Sequence, residues 1–168
     1  MRFNPQETSD AAAIAEPNQL APHFELGRRG EALAIEHLEG AGYRIVAANF
    51  RLPIGRNTRD VMVNAEIDVV AYDGPTLCFV EVKTRGTDEF APPQVNVHLR
   101  KRRQIARAAR GYRRMFGVTD APYRYDVVTV VSTSSAKQTE AEPRIELLKN
   151  FWTDTKLRQR SWHDARWD

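Results

Sequence analysis

Asp68, Glu81 and Lys83 lie in two β-rich runs, Ala65–Tyr72 (AEIDVVAY) and Leu77–Thr84 (LCFVEVKT), separated by Asp73-Gly74-Pro75-Thr76. Such runs on either side of turn-forming residues predict an antiparallel hairpin. Side chains alternate along a strand, so Glu66, Asp68 and Val70 share one face, as do Phe79, Glu81 and Lys83. With Asp73–Thr76 as the loop, Tyr72 pairs with Leu77, Val70 with Phe79, Asp68 with Glu81 and Glu66 with Lys83. Opposed Cβ atoms then stand about 4.5–5.5 Å apart. A two-residue loop slides Asp68 opposite Phe79 and still leaves both acids on one face; a loop of odd length separates them. Two carboxylates this close repel, and a hard divalent cation offsets the cost. Mg²⁺ takes one or two carboxylates together with water and substrate phosphate. Lys83, on the same face, is suited to orient an attacking water or to stabilise charge on a phosphate. The set suits hydrolysis of a phosphodiester. The plainer alternative is a surface face on which Glu66 pairs with Lys83 and Asp68 points to water, as in many weak cross-strand ion pairs.

These strands need helices to cover them. A first helix is expected over Leu26–Glu39, stopped by Gly40 to Gly42. At ~100° per residue Gly27, Ala34, Ile35, Leu38 and Ala41 form one stripe, and Glu31 falls in its middle. A carboxylate on a core-facing stripe needs a partner or a metal. Arg28, one turn away, is one candidate partner; the rim of the Asp68/Glu81 pair, reached directly or through water, is the other. A second helix is expected over Val97–Phe116, with Ile105, Ala108, Ala109, Tyr112 and Met115/Phe116 on one apolar stripe. His98 and Lys101 extend that stripe, so Lys101 either faces the same cleft or is solvated, and Gln104 is a weaker polar candidate. Tyr43–Asn49 and Tyr123–Val131 read as strands, and Ile145–Phe151 as a last one. The polar insertion Pro53–Asn64 and Ser132–Glu142 read as loops. The order is helix, strand, hairpin, helix, strand and a last strand, in one mixed-sheet α/β domain.

The chain has 168 residues, enough for one domain with a core. Residues 1–24 mix Ala, Pro, Asn, Gln and acids and are expected to be a flexible extension, 25–151 the α/β domain, and 152–168 a tail holding Trp152, Trp162 and Trp167. The tryptophans are placed to dock on the domain, to meet a partner, or to hang in a mobile tail. No apolar run approaches the ~20 residues of a membrane span, and no signal pattern opens the chain, so a cytoplasmic protein without membrane contact is expected. The single Cys78 cannot form an internal disulfide or a cysteine-based zinc site, and four scattered histidines lack zinc spacing. No phosphate-cradling glycine motif supports an NTPase or a dinucleotide enzyme. Arg100–Arg114 (RKRRQIARAARGYRR) holds eight basic residues and no acid, whereas the rest of the chain, with 17 basic and 22 acidic residues, is net −5. Charge concentrated in this way suits polyanionic phosphate, DNA above all, gripped by Arg100, Lys101, Arg103, Arg107 and Arg110. A solvated helix face is the commoner fate of a charge run.

The spaced pattern Gly27-x-x-Gly30-Glu31-x-x-Ala34, Gly42-Tyr43, Asn49-Phe50-Arg51, Glu66-Ile67-Asp68, Phe79-Val80-Glu81-Val82-Lys83-Thr84-Arg85 and Tyr125-Asp126-Val127-Val128 resembles the bacterial YraN family. That family is similar to archaeal Holliday-junction resolvases and belongs with the restriction-endonuclease-like PD-(D/E)xK superfamily. The resemblance covers about Leu26 to Val131. It implies an αβββαβ core with a mixed sheet and a Mg²⁺-dependent nuclease site, with Mn²⁺ as the natural substitute. On that pattern Asp68 and Glu81 bind metal with the Val82 carbonyl, Lys83 is catalytic and Glu31 is an auxiliary acid. Ala65 stands where the family often has Gly, and the Pro53–Asn64 insertion is longer than usual. A junction- or flap-cleaving nuclease is the expectation, with a non-catalytic nucleic-acid-binding or adaptor protein as its rival. A homodimer stays open, since a resolvase needs two active sites.

Overall fold

In the computed structural model, which describes residues 22–85, 97–131 and 142–154, helix α1 (Pro22–Gly40) comes first. Gly30, Ala34 and Leu38, spaced four residues apart, are its buried positions. The helix stops where the glycines predict. Gly42 takes φ 86°, the Tyr43 N–H donates to the Leu38 carbonyl at 2.9 Å, and the Gly42 N–H donates to Glu39 at 2.9 Å. This Schellman closure needs a left-handed residue, which glycine supplies without steric cost.

Strands β1 (Arg44–Arg56), β2 (Met62–Asp73), β3 (Thr76–Arg85), β4 (Tyr123–Val131) and β5 (Arg144–Trp152) form one sheet in that order. All neighbours are antiparallel except β3 and β4, which are parallel. A parallel pair needs a long crossover, and helix α2 (Leu99–Met115) lies between the two strands in the chain. The two helices cover opposite faces. Val69, Ala71, Val80, Val128 and Val130 pack with Ala34 and Leu38 of α1. Val70, Phe79, Tyr125 and Val127 pack with Ile105, Ala108, Ala109 and Tyr112 of α2. The expected αβββαβ core with a mixed sheet is present, and β5 completes it.

Two expectations need correction. The insertion at 53–64 is not a loop: β1 and β2 continue through it as a hairpin to Arg56 and Met62. Its turn is closed by the Asn57 side-chain oxygen, which accepts the N–H groups of Arg59 (3.0 Å) and Val61 (2.9 Å). Polar composition, Pro53 and Gly55 argue against a strand in general, but β1 is an edge strand, where a missing N–H is tolerated. The second correction concerns Trp152, which ends β5 rather than opening a tail. It is buried and stacked on Tyr125, rings parallel within 9° and 4.9 Å apart. Trp162 and Trp167 lie outside the described residues, as do most of the 1–24 extension and of the 132–142 segment.

One close approach ties α1 to the end of β3. A Cβ built on Gly30 would stand 2.7 Å from Thr84 Cγ2 and 2.8 Å from Thr84 Cβ. Thr84 is β-branched and stiff, so the helix rather than the side chain must yield. Gly30→Ala is expected to destabilise the protein by about 1–3 kcal/mol in denaturant unfolding. In a double-mutant cycle Thr84→Ala should recover part of that loss, and simple additivity would contradict the contact.

Candidate active site

Phe79, Glu81 and Lys83 alternate onto the α2 face of β3, and Phe79 is embedded in the core beneath Tyr112. Glu81 is only 2% exposed, so a charge-bearing side chain occupies a core position. The hairpin register is the expected one as far as it runs: Tyr72↔Leu77, Val70↔Phe79 and Val69↔Val80. There the ladder ends, and Asp68 does not pair directly with Glu81.

The cause is a change of phase in β2. Val70 faces α2 and Val69 faces α1, yet Ile67 and Ala65 also belong to the α2 side. Two consecutive residues, Ile67 and Asp68, therefore turn the same way, although the register with β1 is unshifted there (Ala48↔Val69, Phe50↔Ile67). The neighbouring strand breaks alternation at the same level: Asn49 has φ 52°, and Ala47 and Phe50 both face α2. Freed from the ladder, the Asp68 carboxylate takes over its function, with Oδ2 accepting the Val82 N–H at 2.8 Å. In extended backbone the N–H and C=O of one residue point to the same side, so the Val82 carbonyl faces the side from which Asp68 approaches.

Two lysines meet the two acids. Lys83 Nζ is 2.7 Å from Glu81 Oε1. Lys101 Nζ reaches in from α2, 3.1 Å from Glu81 Oε2 and 3.8 Å from Asp68 Oδ1. The Lys101 approach is close but outside hydrogen-bonding geometry, and the buried Oε2 is left without a donor. Burial, and then repulsion from Glu81, push the Asp68 carboxyl up to about 7. Burial works against the Lys101 charge, but Asp68 and Glu81 outweigh it and hold the ammonium pKa above its ordinary value. Among the described residues no group of three or more His, Cys, Asp or Glu side chains is arranged to hold a metal. The donors a cation could use here are two carboxylates and a backbone carbonyl, oxygen atoms of the kind a hard ion prefers.

The structure thus brings together Asp68, Glu81, Lys83 and Lys101. Glu66 is not Lys83's partner; it pairs with Arg51, directly opposite on β1, at 3.1 Å. Glu31 is not drawn into this cluster. It sits on α1 beside the Gly30–Thr84 contact, on the other side of the sheet, and makes no hydrogen bond or ion pair among the described residues. The basic run on α2 is also less uniform than its composition. Lys101 points into the acids, Arg102 bonds the Val97 carbonyl at 2.6 Å and lies over Phe151, and Arg110 pairs with Asp154 at 3.4 Å. The compensating acids come from β2, β3 and the second residue after β5, all distant in sequence. Arg100, Gln104 and Arg107 share another flank of the helix, facing the β1–β2 hairpin.

Fold and site together define a small α/β protein whose mixed sheet carries a buried carboxylate pair matched by two lysines. The chain belongs to the uncharacterised protein family UPF0102, whose model matches residues 30–130. It is 38% identical over 135 residues to a UPF0102 protein of Chlorobium limicola, covering 80% of this chain and 96% of that protein. A UPF0102 protein of Geotalea uraniireducens is 39% identical over 130 residues, covering 77% and 91%. A third, from Solibacter usitatus, is 39% identical over 123 residues, covering 73% and 82%. The resemblance to YraN-like proteins is borne out at this level. Among the described residues no helix is long and apolar enough to cross a membrane.

The raised Asp68 pKa has a consequence for stability. Folding lifts it from 3.8 to about 7, so between those values the folded chain binds more protons than the unfolded one. Stability from this group therefore falls as pH rises through that window. In EDTA the Tm is expected to be lower near about pH 8 than near about pH 5, and Asp68→Asn should flatten the difference. An equal slope in Asp68→Asn would show that another group carries it.

Proposed function

We propose that this protein is a Mg²⁺-dependent nuclease that hydrolyses phosphodiester bonds of DNA. The observation that carries the proposal is the buried Asp68/Glu81 pair, in which one Glu81 oxygen has only the Lys101 ammonium nearby, 3.1 Å away and out of hydrogen-bonding alignment. Such a pair stores negative charge that a divalent cation would relieve. Asp68, Glu81 and the Val82 carbonyl would hold the ion, which when bound supplies Lewis-acid stabilisation of a phosphate and acidifies bound water.

The chain's own residues do the rest. Lys83, beside Glu81 at 2.7 Å, carries a mobile ammonium to the mouth of the pair, where it orients water or donates to a phosphate oxygen. Lys101 braces the two acids from α2 and keeps the pair tolerable before the ion arrives. Glu31, which α1 places beside Thr84 on the other face of the sheet, has no direct part in this reading. Arg100, Arg103 and Arg107 hold the phosphate backbone, which positions a strand without reading its sequence. On this reading the nuclease works in the cytoplasm, on junctions or flaps, as one domain from residue 25 to Trp152.

A second reading has its own observation. Lys83 and Lys101 already neutralise both acids, as in a purely structural ion-pair cluster. That arrangement fits a non-catalytic nucleic-acid-binding or adaptor protein.

Cleavage of single-stranded, duplex, flapped and four-way DNA, measured with Mg²⁺ or Mn²⁺, separates the two. Metal-dependent cleavage is expected, with Glu81→Ala and Lys83→Ala each slowing it by about 10²–10³. Glu31→Gln should cost less than either. Cleavage that survives both Glu81→Ala and Lys83→Ala would defeat the proposal. Absence of cleavage together with no calorimetric Mg²⁺ binding would favour the binding protein.

A further inference from the structure

A cavity of about 370 Å³ opens between the tip of the β1–β2 hairpin and α2, beside the carboxylate pair and separate from it. Arg56 and Arg59 enter it from the hairpin, and Arg100, Gln104 and Arg107 from the helix. No carboxylate is among the described residues that line it. The helix residues recur at i, i+4 and i+7, so they share one flank. That flank begins beside the acids: Arg100 adjoins Lys101, and Gln104 lies four residues further, about 6 Å along the axis.

Four guanidiniums around one hollow repel unless an anion sits among them. Arg56 donates to the Asp60 carbonyl at 2.7 Å and pairs with its carboxylate at 3.2 Å, but that side chain is 84% exposed and the pair is weak. The Arg59 and Arg100 guanidiniums are in no ion pair among the described residues. Burial, and then the charges of Arg110 and Arg103 on the same helix, press the Arg107 pKa downward. Planar guanidinium forks match phosphate oxygens two at a time. The hollow is also a product of the insertion: without the extended hairpin, α2 would present its arginines on an open surface.

We propose that this cleft is a phosphate-binding site that holds the backbone of a DNA strand one or two nucleotides from the phosphate presented to Asp68 and Glu81. The course of the strand rests on the nuclease reading, whereas the binding itself requires neither metal nor catalysis. The hairpin and α2 then act as two jaws on the backbone. Arg56 and Arg59 contact it from one side, and Arg100 and Arg107 from the other.

The test is fluorescence anisotropy of labelled DNA in EDTA across a salt series, with circular dichroism melts to check folding. Removing one arginine from a phosphate should lower the slope of log K against log[salt] by about 1. Arg59→Ala and Arg100→Ala are each expected to weaken binding with such a change, and their combination by about 2. Arg59→Lys should keep most of the slope. Arg44→Ala removes the same charge at the opposite end of β1 and should leave the slope unchanged. Unaltered slopes in the Arg59 and Arg100 variants, an equal change in Arg44→Ala, or failure of the wild type to bind DNA would each overturn the proposal. Unaltered slopes with cleavage still abolished by Glu81→Ala would remove this site and leave the nuclease. Changed slopes without any cleavage would leave the site and remove the nuclease.

Discussion

The arrangement depends on the burial of two like charges where a β-ladder gives out. Glu81 stands in a core position, where an unpaired carboxylate would be expensive. Asp68 lies close enough for each acid to raise the cost of the other, and burial adds to it. Three features offset that cost: the Val82 N–H on Asp68, Lys83 on one Glu81 oxygen, and Lys101 approaching the other. An acidic pair buried at such expense is a poor choice for stability alone, since apolar residues would fill the space more cheaply.

The rest of the fold serves that position. The phase change at Asp68, matched by the left-handed Asn49 across the strand pair, separates β2 from β3 and frees a carboxylate for the gap. α2 lies on the same face because a parallel β3/β4 pair demands a crossover, and its apolar stripe turns Lys101 inward. α1 packs on the other face and approaches the end of β3 closely only because Gly30 has no side chain to meet Thr84. By contrast Asp126, also a fully buried carboxylate, is satisfied within the protein. It accepts the Arg124 guanidinium at 3.0 Å and the Asn150 N–H at 2.8 Å. A carboxylate is thus a closed structural group at Asp126 and an incompletely satisfied one at Glu81.

Much of this was legible in the residues. The order of elements, the register of the β2–β3 hairpin through Val70↔Phe79 and the strand Tyr123–Val131 follow from periodicity and turn chemistry, which act over a few residues. The shared face of Glu81 and Lys83 follows from alternation along one strand. The β1–β2 extension was not legible, because an edge strand tolerates Pro53 and polar side chains that a central strand would not. Trp152 looked like part of a charged tail until Tyr125 supplied a ring to stack on.

What the sequence alone determined is local: which residues alternate, where helices stop, and that acids and a lysine share the β2–β3 hairpin. Only the tertiary structure decided which charges meet. Lys101 joins the acids, Glu66 goes to Arg51, Arg110 goes to Asp154, and Glu31 remains on the far face. The physical reason is that ion pairing depends on distance and burial across elements far apart in the chain, and one change of strand phase at Asp68 is enough to reassign the partners. Composition records how many charges exist. Packing chooses their neighbours.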